Sequence, residues 1–101
     1  MKMESRLNDI VMLSAEAPSG KEILDKCLEL TELLLEKNIS YANSAIDPIR
    51  VFSRASPEEQ ILVRLDDKLS RIKDGKEFKN EDTILDLCGY LVLLLVLREE
   101  K

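Results

Sequence analysis

Histidine and tryptophan are absent from this sequence, and its only aromatic residues are two Tyr and two Phe. Without imidazole there is no His-dependent triad, no usual His-containing zinc site and no histidine acid–base catalysis. Any chemistry must come from carboxylates, Lys, Arg, Tyr or a hard cation held by oxygen ligands. With so few rings, a core must be built from Leu, Ile and Val. The two cysteines, Cys27 and Cys88, are far apart in apolar helical patterns. They read as buried small hydrophobes of a reducing compartment, not as a disulfide framework or a metal site. There is no glycine-rich phosphate loop, no CxxC pair and no nucleophile motif.

A surplus of positive charge is missing too. The net charge of −5 argues against bulk nucleic-acid binding, while a local basic pocket for one small anion stays open. No secretory leader is visible, because Met1–Asp9 is charged and lacks an apolar segment. Leu87–Leu97 is strongly apolar but reaches only about half the length that spans a bilayer. It reads as a buried helix, and the expected location is the cytoplasm of a bacterium or a phage-infected cell.

What is present is helical patterning over 101 residues, 45% of them apolar. Met1–Glu16 carries Leu7, Ile10, Val11 and Leu13 near helical spacing, and Pro18-Ser19-Gly20 then breaks the chain. A second helix is expected from Lys21 to Lys37, capped by Ser19 with Glu22, its apolar face formed by Ile23, Cys27, Leu28, Leu30, Leu34 and Leu35. Periodicity vanishes from Asn38 to Ser56, which reads as a long ordered loop. Ser56-Pro57-Glu58-Glu59 is a strong helix start, with Ser as N-cap and Pro at the first helical position. That helix runs to about Lys73 and ends at Asp74-Gly75. A polar loop follows to Asn80, and Asn80-Glu81-Asp82 opens a last helix reaching Arg98. The expectation is all-α: one domain, 1–101, a compact bundle of three to four helices with a long loop between helices 2 and 3. Residues 1–20 form an N-terminal helix and linker, and 21–98 form the core.

Chemistry concentrates in the second half. At about 100° per residue, Leu62, Leu65, Leu69 and Ile72 share one face of the third helix. Gln60, Arg64, Asp67, Lys68 and Arg71 stand opposite, either as a solvated face with intrahelical ion pairs or as a cationic wall for phosphate. The last helix is apolar all round in its second half and should be buried on every side. Near its start Asp82, Asp86, Gly89 and Tyr90 form a stripe. Two acids one turn apart would hold a divalent cation through oxygen. Alternatively Asp82 serves the helix N-terminus, and Asp86 pairs with Arg64 or Arg71. The loop offers Tyr41, Asn43, Ser44, Asp47, Arg50, Ser53 and Arg54, suited to ligand recognition or to satisfying its own backbone.

The run Glu36-Lys37-Asn38-Ile39-Ser40-Tyr41-Ala42-Asn43-Ser44-Ala45-Ile46-Asp47-Pro48-Ile49-Arg50-Val51-Phe52-Ser53 resembles the signature of the nucleotide-modification-associated domain, type 1. So do Ser56-Pro57-Glu58-Glu59-Gln60, Val63 to Ile72, Glu81-Asp82-Thr83, Asp86-Leu87 and Gly89-Tyr90-Leu91. The likeness covers roughly Ile23 to Leu97. The family comprises small phage and bacterial proteins named from their genomic company. One departure stands out: the family usually has Gly after the Tyr, where this chain has Ala42. If that position needs a positive φ or close ligand approach, Ala strains it. More distantly, the third and fourth helices are similar to the all-α nucleoside triphosphate pyrophosphohydrolases of the MazG-like superfamily, which hold magnesium with paired acids. The match there is poor, since Asp82 and Asp86 are four apart and Glu59 has no acid three residues on.

The resemblance implies a small nucleotide as ligand. On one reading the chain is a phage-type protein that sequesters a nucleotide messenger of host defence, such as a cyclic dinucleotide. Tyr41 or Tyr90 would stack on a base, and Arg64, Lys68 and Arg71, with loop residues Asn43, Ser44, Arg50, Ser53 and Arg54, would hold the rest. On the other it is a magnesium-dependent nucleotide hydrolase or an accessory of nucleotide modification, its Mg2+ held by Asp82, Asp86 and Glu59 or Asp67. Copies are expected to associate through the apolar C-terminal helix, with no membrane partner.

Overall fold

A computed structural model describes residues 2–75 and 82–99. The described residues form four helices in order, α1 (Lys2–Glu16), α2 (Gly20–Ser40), α3 (Pro57–Asp74) and α4 (Thr83–Glu99). The described residues contain no strand. None of their helices is long and apolar enough to cross a membrane. The expected loop to Asn80 and the Glu81 expected to open the last helix lie outside the described residues. The chain divides into two compact units, Met1–Leu33 and Leu34–Lys101.

In the first unit the α1–α2 junction is set by Pro18 and Gly20. Proline has no amide hydrogen to continue the ladder and restricts the residue before it. The ladder therefore closes on neighbours: Ala17 N–H donates to Leu13 O at 3.0 Å, and Gly20 N–H to Ala17 O at 3.0 Å. Gly20 is buried, and a Cβ there would overlap the Ser14 carbonyl. α1 has no buried residue, and Gly20 is the buried residue of α2. Cys27 is exposed, which corrects its expected burial: the helix it lies on buries no side chain around it.

The second unit begins with the end of α2, which runs three residues past the expected Lys37. Its terminus has a defined cause. Asn43 N–H donates to Asn38 O at 3.0 Å, and Ala42 N–H donates to Ile39 O at 3.3 Å. This six-to-one and five-to-two pair is the Schellman motif, whose C′ residue must take a left-handed conformation. That residue is Ala42, with φ 51, followed by Asn43 with φ 62. The alanine that stands where the resembled family has glycine therefore carries a positive φ. Asn43 tolerates its own conformation, and Asn38 Nδ2 donates to Asn43 Oδ1 at 2.9 Å.

α3 starts as its sequence implies. Ser56 is the N-cap, its Oγ accepting from Glu59 N at 3.1 Å, and Pro57 is the first helical residue. It ends at Gly75, φ 68, whose N–H reaches Arg71 O and Ile72 O. α4 is capped by Asp82, whose Oδ1 accepts from Leu85 N at 3.0 Å. α3 and α4 pack against each other. Their cross-links run in opposite senses, Glu58 to Arg98, Arg64 to Tyr90 and Lys68 to Asp86, so the pair is antiparallel. The core is Ile61 and Leu65 on α3 with Leu94 and Leu97 on α4, flanked by Ile46, Leu62, Leu87, Tyr90 and Leu93.

Two expectations are corrected by this packing. The buried face of α3 is Ile61, Leu65 and Lys68, while Leu69 and Ile72 are exposed. The face turns because a carboxylate on α4 receives Lys68. α4 is not buried on every side: Leu91, Leu95 and Val96 are exposed, as is Cys88. α3 covers one stripe of that helix, and the remaining apolar side chains point away from it.

Two backbone substitutions should act in opposite directions. Gly20→Ala forces the Ser14 carbonyl to move and should destabilise the first unit by roughly 1–3 kcal/mol. Ala42→Gly relieves a left-handed alanine and should stabilise the chain by about 0.5–1 kcal/mol, net of glycine's extra unfolded-state entropy. Urea unfolding followed by circular dichroism checks both.

Candidate functional site

The polar side chains of α3 and α4 meet at one end of their apolar seam. Arg64 and Lys68 are one turn apart on α3, and Asp86 and Tyr90 are one turn apart on α4, so the two pairs face each other. Lys68 is only 8% exposed. A buried ammonium requires a partner, and Lys68 Nζ lies 3.5 Å from Asp86 Oδ2. The other oxygen, Asp86 Oδ1, lies 3.5 Å from Lys37 Nζ on α2. One carboxylate thus sits between two ammonium groups. The expected pairing of Asp86 with Arg64 or Arg71 is replaced by these lysines, because Lys68 stands one turn along from Arg64, directly across from Asp86.

Arg64 turns to the aromatic ring instead. Its Nη1 donates to the Tyr90 hydroxyl at 3.4 Å, and its guanidinium carbon lies 5.8 Å from the ring centre. Both contacts hold the guanidinium against the half-buried tyrosine. Counting Lys37, Arg64 and Lys68 against Asp86 leaves two positive charges over, three minus one, beside an aromatic surface. A planar guanidinium and two ammonium groups can bind phosphate oxygens, and a tyrosine ring can stack on a base.

The remaining expected residues are placed elsewhere. Arg71 Nη2 pairs with Asp67 Oδ2 at 3.3 Å, an intrahelical bridge one turn long. Arg50 Nη1 and Gln60 Nε2 both donate to Ala55 O, at 3.5 and 3.1 Å, and Ser53 Oγ accepts from Ala55 N at 3.1 Å. Those side chains pin the 41–56 connection to the start of α3. Ser44 N–H donates to Tyr41 O at 3.0 Å, and Asn43 O accepts from Ile46 N and Asp47 N. Tyr41 and Arg54 are exposed.

Asp82 and Asp86, expected to hold Mg2+ with Glu59 or Asp67, do not gather with either. Asp82 caps α4, Asp67 pairs with Arg71, Asp86 lies between two lysines, and Glu59 is exposed in the first turn of α3. Among the described residues no three His, Cys, Asp or Glu side chains come together as metal ligands. The residues present do not fit a magnesium centre.

Lys37 is the site residue that sequence reasoning missed. It sits in the last turn of α2, where basic residues ordinarily answer the helix dipole. Its only sequence signal is its place in the run beginning Glu36-Lys37-Asn38. No family model, no curated protein and no solved structure matches this chain.

Removing the carboxylate should expose how much the buried lysine depends on it. Asp86→Asn leaves Lys68 without a counter-ion and should destabilise the chain by about 1–3 kcal/mol. Adding Lys68→Met, which removes the stranded charge, should recover a large part of that loss. A denaturant double-mutant cycle measures both values.

Proposed function

We propose that this protein binds a small nucleotide on the α3–α4 surface and holds it intact, sequestering a messenger such as a cyclic dinucleotide of host anti-phage defence. The observation that carries this reading is the Arg64–Tyr90 stack, one turn from the buried Lys68, whose Asp86 partner also meets the exposed Lys37, with positive charge in excess. Tyr90 and the outer face of the Arg64 guanidinium offer a base something to stack on. Lys68, one turn from Arg64, and Lys37, which shares Asp86 with it, would meet phosphate oxygens. Two surplus positive charges suit the two phosphodiesters of a cyclic dinucleotide better than a triphosphate, which would bring its own magnesium. The resemblance to the nucleotide-modification-associated domain supports the same ligand class and a cytoplasmic setting.

The oligomeric state belongs to this proposal. Ile84, Cys88, Leu91 and Leu95, spaced four, three and four residues along α4, are all exposed. Such a seam supports association of copies through the C-terminal helix.

Calorimetric titration with cyclic dinucleotides and nucleoside triphosphates, with and without magnesium, tests the proposal when the products are chromatographed alongside. The expected result is metal-independent binding with the ligand recovered unchanged, weakened by about tenfold or more in Arg64→Ala and Tyr90→Ala, the size of losing one charge-assisted or stacking contact. Magnesium-dependent turnover would replace sequestration with hydrolysis.

A further inference from the structure

None of the fifteen residues of α1 is buried, yet Met3, Leu7, Ile10, Val11, Met12 and Leu13 are all large, apolar and exposed. Met3, Leu7 and Ile10 are spaced four and then three apart, which lays them along one side of the helix, and Val11 widens that seam. The charges of α1 divide along its length. The first half carries Lys2 and Arg6 against Glu4, and the second carries Asp9 and Glu16. The partial charges of the backbone run the same way, positive at the N-terminus and negative at the C-terminus. Two copies of α1 laid antiparallel set each basic half beside an acidic half and oppose the two dipoles. Laid parallel, they stack like charge on like.

We infer that α1 pairs antiparallel with α1 of a second copy about a two-fold axis, with Leu7 of one copy facing Ile10 of the partner subunit. Such an isologous contact closes on itself, and together with a second contact through α4 it builds a tetramer.

Sedimentation equilibrium of the full chain, across micromolar concentrations, tests this pairing. The wild type should self-associate, and Ile10→Asp should halve the particle mass while helical circular dichroism is retained, because Ile10 is not buried within the chain. Leu7→Glu should do the same. A spin label at Glu16→Cys, with Cys27→Ser and Cys88→Ser in the background, should report roughly 25 Å between copies for antiparallel helices, against about 10 Å for parallel ones. A monomeric wild type, a mass unchanged by both α1 variants or the short distance would each overturn the pairing.

Discussion

Lys68 can be buried only because Asp86 stands across from it, and much of the second unit is arranged around that pair. An ammonium taken out of water without a carboxylate would turn the helix until it reached solvent. With Asp86 in place, Ile61, Leu65 and Lys68 become the inner face of α3, and α4 must present Asp86, Tyr90, Leu94 and Leu97 on its matching side. The second oxygen of Asp86 then draws Lys37, tying the last turn of α2 to the α3–α4 pair. Arg64, one turn from Lys68, is left to the ring of Tyr90. A packing requirement thus assembles the cationic surface proposed as the nucleotide site.

The helix boundaries were legible because capping is local chemistry. Ser56-Pro57, Gly75 and Asp82 act where the sequence places them, since each satisfies backbone groups within a few residues of itself. The end of α2 was harder to read. Asn38, Ile39 and Ser40 look like loop residues by composition, but a Schellman turn at Ala42 and Asn43 carries the helix past them. The substitution of Ala42 for the glycine of the resembled family singled out a position that does take a positive φ.

The inner face of α3 was misread for a physical reason. Hydrophobic periodicity assigns Lys to solvent, and nothing in a single helix reveals a carboxylate on another one. Leu69 and Ile72 therefore took the place of Lys68 in the expected core, and Lys37 was not singled out at all. The same limitation applies to α4 and to Cys27 and Cys88. Composition marks a helix as apolar all round but does not say how many neighbours cover it. Of the expected ligand residues, Arg64, Lys68 and Tyr90 come together. Arg50 and Ser53 are occupied in holding the 41–56 connection against α3.

Backbone amide shifts recorded by NMR during titration with a cyclic dinucleotide would test most directly whether the α3–α4 surface is the nucleotide site. Binding there predicts saturable shifts centred on Lys37, Arg64, Lys68, Asp86 and Tyr90, with the amides of α1 unmoved. Shifts absent from those residues, or centred on the exposed part of the 41–56 connection, would contradict it.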